Sequence, residues 1–172
     1  MIDKATASGK GRRFGRLTVT MVVFTCVLGS ELYAQTTPIY PDAAVAPSEI
    51  KAALTKAGLG HKRISVDFGG NWCGDCKALD SYFHKSPNAD LLKRYFVLVD
   101  VNIGKMDQNL DIAKKYGVPL DQGVPALAVL DEKGAVLFSQ KHGEFEAMRS
   151  MDPASVTKFL EQWKGTAASD TK

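Results

Sequence analysis

Two cysteines three apart, Cys73 and Cys76, sit in the stretch Trp72-Cys73-Gly74-Asp75-Cys76-Lys77. That spacing suits three chemistries: half of a metal knuckle, a local staple, or electron exchange between thiol and disulfide. A zinc knuckle needs two further ligands. The histidines, His61, His84 and His142, are not paired at ligand spacing, so no metal is expected. A bridge across three residues closes too small a loop to tie distant parts of a fold together. Thiol exchange fits best. Its attacking species is a thiolate, and a free cysteine has a pKa of about 8.5. A helix N-terminus offers unpaired N–H groups and a positive potential that favour the anion. Here Cys73 falls at a helix start and Cys76 one turn further in, within reach of a mixed disulfide on the first sulfur. The pair reads as a nucleophile and a resolving thiol, with no cofactor beyond its own redox-active disulfide.

The elements around the pair form one α/β pattern. Ile50, Ala53, Leu54 and Ala57 follow the helical i, i+3, i+4, i+7 spacing, with Ser48 as N-cap and Gly58 and Gly60 as the stop. Arg63–Gly69 is rich in strand formers. From Cys73 the pattern turns helical, with Cys76, Leu79 and Phe83 on one face, and Pro87 opens a short second helix at its first position. Tyr95–Val101 is nearly continuous in apolar residues, as a strand covered on both sides would be. Asp107 caps a helix that runs through Tyr116 and is closed by Gly117. Pro125–Leu130 and Ala135–Gln140 flank a turn ending in Gly134, a β-hairpin. Asp152-Pro153 opens a last helix with Val156, Phe159, Leu160 and Trp163 on one face. The order is α-β-α-α-β-α-β-β-α over residues 47–164. Residues 35–46 read as a flexible lead and residues 165–172 as a mobile tail.

The 172 residues carry a net charge of +3, unevenly placed. Lys4, Lys10, Arg12, Arg13 and Arg16 precede an apolar run, Leu17 to Gly29, followed by a small residue at Ala34. This is the pattern of a secretory signal peptide over residues 1–34. The run is short for a membrane span, which takes about 20 apolar residues, so cleavage is expected rather than an anchored form. Thr25 before Cys26 does not suit a lipoprotein site. Without residues 1–34 the chain holds 17 basic and 17 acidic side chains. The basic excess belongs to the leader, and no nucleic-acid footprint survives. The expected location is periplasmic or secreted, where disulfides persist.

The residues Val66–Lys77 (VDFGGNWCGDCK), Tyr116–Val118 (YGV) and Gly123–Ala126 (GVPA) resemble the thioredoxin superfamily, and the likeness covers most of residues 47–164. Export and the stretched GKMDQN loop make it similar to secreted thioredoxin-like disulfide reductases. The resemblance implies a thioredoxin fold, a central mixed β-sheet flanked by helices. It implies that Cys73 is the nucleophile and Cys76 the resolving cysteine. It makes Pro125 a cis-proline facing them, and the Val124 backbone a partner for an extended substrate strand. Trp72 would shield one side of the site. Asp67, six residues before Cys73, would be a buried carboxylate that accepts a proton, through water, as Cys76 attacks.

Three departures from the family pattern bear on direction. Gly74-Asp75 replaces Gly-Pro between the cysteines, and a carboxylate there resists a Cys73 thiolate by like-charge repulsion. A less stable thiolate favours the disulfide and makes a better reductant. Asp100 stands where a lysine often lies near the buried carboxylate. The segment VPLDQGVP adds residues before the proline. The expected activity is reduction of disulfides in exported proteins by a monomer that draws electrons from an upstream donor protein, membrane-bound in one form. The alternatives are a dithiol oxidase and a binding or chaperone module with incidental cysteines.

Overall fold

The structure, a computed structural model, describes residues 37–166. The expected signal peptide, with Cys26, and most of the expected tail lie outside the described residues. Among the described residues no helix is long and apolar enough to cross a membrane.

The strand β1 (Arg63–Gly69) is the axis of the fold, with six of its seven residues buried. It pairs in parallel with β2 (Phe96–Asn102) and antiparallel with β3 (Ala126–Leu130), which pairs antiparallel with β4 (Val136–Ser139). The sheet order is β2-β1-β3-β4. Strand alternation sends successive side chains to opposite faces. Ile64, Val66 and Phe68 therefore pack with α1 (Ala46–Gly60) and α4 (Leu110–Lys115) in one apolar cluster. On the other face, Leu127 and Val129 pack with α2 (Gly74–Phe83), α3 (Asn88–Tyr95) and α5 (Ala154–Trp163). Phe138 and Phe145 meet the Phe159 ring edge-on, pinning α5 to the hairpin. Each large apolar side chain so buried stabilises the fold by about 1.5–3 kcal/mol.

Several local expectations are corrected. The lead is not free: Tyr40 and Ala43 are buried, and a short 3-10 turn over Ala43–Val45, capped by Asp42, runs into α1. The N-cap of α1 is Val45, not Ser48, and Pro47 occupies its first turn. That helix runs through both glycines and ends at His61, whose left-handed φ of 49° lets its N–H reach the Ala57 carbonyl. Pro87 is the N-cap of α3 rather than its first residue. Asp107 does not cap α4; its carboxylate accepts the Lys105 N–H, and Asn109 stands at the cap. Finally, β2 is covered on both faces as expected, Val99 and Val101 packing in the cluster of α1 and Phe96 and Leu98 in the cluster of α3, but it does not lie in the middle of the sheet. It is an edge strand, and Val97, Leu98, Asp100 and Asn102 are only partly buried.

Candidate active site

Cys73 is the N-cap of α2, and its Sγ accepts the Cys76 N–H at 3.0 Å. A disulfide joins Cys73 and Cys76, with the Cα atoms 5.2 Å apart. Both residues are buried, Cys73 at 5% exposure and Cys76 at 0%. The sulfur at the helix start therefore belongs to the more accessible residue of the two. The Val124–Pro125 peptide is cis, and the Val124 carbonyl lies 3.5 Å from Cys73 Sγ. Trp72 is half exposed beside the pair, and its indole N–H donates to the Gly104 carbonyl in the GKMDQN loop. The expected site residues Trp72, Cys73, Gly74, Asp75, Cys76, Val124 and Pro125 thus come together at one end of the sheet.

Asp67 is 1% exposed. The parallel register sets it directly opposite Asp100 on β2. Burial pushes the Asp67 carboxyl well above the usual carboxylate range; Asp100 pushes it further, and a hydrogen bond from Tyr40 pulls it back. Asp80 on α2 adds a smaller upward push. Burial and then Asp80 push Asp100 up to about 7, with His84 opposing. The departure from the family lysine therefore puts a second acid beside Asp67. Like charges so placed cannot both ionise cheaply, and the two titrate as a pair.

Asp75 behaves otherwise than its letter suggests. Its carboxylate accepts from the Arg149 backbone N–H at 2.8 Å and from Nε at 3.1 Å, and it pairs with the guanidinium at 2.9 Å. Those hydrogen bonds hold the Asp75 carboxyl below its ordinary range. The guanidinium also lies over Gly74, where an added Cβ would be 3.3 Å from it. The expectation that Asp75 repels a Cys73 thiolate is thereby corrected. Its charge is offset by a cation lying against the same helix start.

Four contributors escaped sequence reasoning. Tyr40 donates its hydroxyl to Asp67 Oδ2 at 2.7 Å and packs against both cysteines. Asn71 holds Tyr40 at both ends of its peptide: Nδ2 donates to the Tyr40 carbonyl and Oδ1 accepts the Tyr40 N–H. Arg149 comes from the turn Met148–Ser150, far along the chain. Gln140, 1% exposed, donates to the Pro125 carbonyl and accepts the Leu127 N–H, so it fixes the backbone after the cis bond. Such long-range partners leave no local signal, although the pair Gly69-Gly70 hints at them. A Cβ on Gly69 would clash with the Tyr40 hydroxyl and lie 2.8 Å from Cys76 Sγ.

A mixed four-stranded sheet flanked by helices, with a C-x-x-C pair at a helix start and a cis-proline opposite, is the arrangement of a thioredoxin fold. A sequence profile described as thioredoxin-like matches residues 46–132. The crystal structure of a disulphide isomerase from Xylella fastidiosa Temecula1 is 32% identical and superimposes with a TM-score of 0.70, covering 74% of this chain and 97% of that one. Protein disulfide-isomerase from Ricinus communis is 28% identical over 113 residues, 65% of this chain and 20% of that protein. This chain therefore spans about a fifth of the length of that curated relative. The chain belongs to the thioredoxin superfamily, within its thioredoxin-like family.

Proposed function

We propose that this protein is a thiol–disulfide oxidoreductase that reduces disulfides in exported proteins. The observation that carries the reading is the Cys73–Cys76 disulfide at the start of α2, facing the cis Val124–Pro125 bond. In the proposed cycle the reduced Cys73 thiolate attacks a substrate disulfide. A bond forms between Cys73 and one substrate sulfur, and the other sulfur leaves as a thiolate that takes up a proton. Cys76 then gives its proton to Asp67 and attacks Cys73 Sγ. The Cys73–Cys76 bond forms, the second substrate sulfur leaves, and two electrons have passed to the substrate. Val124 offers backbone to an extended substrate strand and Trp72 an exposed ring beside it.

The reductive direction rests on the charges near the sulfurs. Asp67, Asp100 and Asp80 interact electrostatically with one another behind the pair. Acids on that side disfavour a thiolate on Cys76, not on Cys73, and to that extent favour the disulfide, which is the property of a reductant. Export, a monomeric state and an upstream electron-donor protein complete the proposal. The leader-like sequence of residues 1–34 supports export, and a donor is implied because an exported dithiol must be re-reduced after each turnover. A second reading, disulfide isomerisation, is favoured by the names of the two relatives. Equilibration of the purified protein against glutathione separates the readings. A potential near about −270 mV supports the reductase and one near about −180 mV the isomerase, whereas about −120 mV marks an oxidant and overturns both.

A further inference from the structure

The lead segment before α1 is built into the back of the redox site. Tyr40 is 1% exposed, and its ring lies against Cys73 and Cys76. Three asparagines hold the segment in place. Asn71 grips the Tyr40 peptide, Asn102 Nδ2 donates to the Pro41 carbonyl at 2.7 Å, and Asn109 Nδ2 donates to the Ala43 carbonyl at 2.9 Å. A phenol and three amides are costly to withdraw from water without partners, and here the hydroxyl bonds Asp67 while the amides bond the backbone that carries it.

That hydroxyl donates to Asp67 Oδ2, while Asp67 Oδ1 is buried and has no hydrogen-bond partner among the described residues. One carboxylate oxygen is therefore occupied and the other is open to receive a proton. Gly69 is the point where the Tyr40 hydroxyl and Cys76 Sγ converge, since a side chain there would strike both. We propose that Tyr40 is a positioning residue for thiol exchange: its hydroxyl occupies Oδ2 and turns the Asp67 carboxylate so that Oδ1 takes the proton of Cys76. This deepens the proposed function and rests on its reading of Asp67 as the proton acceptor. When Cys76 attacks Cys73 in the mixed disulfide, its proton passes to Oδ1, the Cys73–Cys76 bond forms and the substrate thiolate leaves. The Tyr40 bond to Oδ2 persists throughout.

The charged and hydrogen-bonding groups acting on Asp67 are Asp100 on β2, Tyr40 on the lead and Asp80 on α2, while β3 sets the apolar Leu127 opposite it. His84 at the end of α2 acts on Asp100. Asp100, Asp80 and burial all oppose the ionised form, and Tyr40 alone among these groups favours it. Its own hydroxyl stays protonated, because burial and the Asp67 charge push its titration far upward.

The test is the pH profile of single-turnover insulin reduction by the reduced full chain. Tyr40→Phe keeps the ring and deletes the hydroxyl. Losing a hydrogen bond to a charged group is expected to slow the reaction at neutral pH about tenfold and to move the rising limb of the profile to higher pH. Asp67→Asn is expected to remove that limb. If Asp67→Asn removes the limb and Tyr40→Phe leaves it in place, or slows the rate equally at all pH, the Tyr40 proposal falls alone. If neither variant alters the limb, the reading of Asp67 falls and the Tyr40 proposal with it. Should Tyr40→Phe not fold, Asn71→Ala loosens the same grip. Carbon-13 titration of the Asp67 carboxyl in that variant should move upward from the wild type, and an unmoved titration overturns the proposal.

Discussion

Replacing Asp100 by asparagine removes one of two acids that face each other across β1 and β2. Burial, then Asp80, raise the Asp100 carboxyl from 3.8 to about 7. The folded chain thus holds this proton more tightly than the unfolded chain does. Stability from this source is fully present below the unfolded value of 3.8 and is lost as the pH rises through about 7. One pKa unit corresponds to 1.36 kcal/mol, so the ceiling of the loss is about 4 kcal/mol. Asp100 is only partly buried, and solvent screening brings the expected loss down to about 1–2 kcal/mol. Asp100→Asn should therefore leave stability near pH 4 little changed and raise it near pH 8 by about 1–2 kcal/mol. Urea titrations of the disulfide form across that range, compared at constant slope, measure the difference. If the midpoints of the two proteins follow the same course with pH, burial and Asp80 do not raise the Asp100 carboxyl as described.

The remaining predictions concern contacts around the sulfurs. Gly69→Ala forces a methyl group against the ring of Tyr40 and Cys76 Sγ, so it should cost about 1–3 kcal/mol, as overpacking does; a urea midpoint equal to that of the wild type would show that the lead yields. Arg149→Ala removes the cation over Gly74 and leaves the Asp75 carboxylate unopposed. Alkylation of Cys73 by iodoacetamide near neutral pH should slow, and the Asp75→Asn, Arg149→Ala double variant should recover part of the loss. An unchanged alkylation rate would mean that this ion pair does not act on the thiolate.

The order of the nine elements was legible because each carries its own period. Arg63–Gly69 and Tyr95–Val101 read as strands, and Val156, Phe159, Leu160 and Trp163 read as one helix face. The position of a strand in the sheet was not legible. Tyr95–Val101 has the composition of a buried strand, yet β2 lies at the edge, since pairing is decided by elements elsewhere in the chain. The family resemblance singled out Asp67 and Asp100, and the register made them neighbours. It could not locate Tyr40 or Arg149. Their partners are 27 and 74 residues away, and a Tyr between two prolines or an Arg before a Ser has no period that points inward. The same limit misread Asp75, whose charge has meaning only with Arg149 beside it.

The two sulfurs, nearly equivalent in the motif, stand in different fields. Cys73 lies at the N-terminus of α2, with the Cys76 N–H donated to it and the Arg149 guanidinium over the next residue. Each of these favours negative charge on that sulfur. Cys76 is fully buried in an apolar cluster with Tyr40, whose hydroxyl bonds Asp67. Charge on Cys76 is disfavoured until a proton acceptor takes its hydrogen. This asymmetry supports an order of events. In the proposed cycle Cys73 attacks first because its thiolate is the better stabilised, and Cys76 waits for Asp67. The acid behind the pair then gates resolution rather than attack. It follows that removing Asp67 should lengthen the life of the mixed disulfide while leaving its formation unhindered.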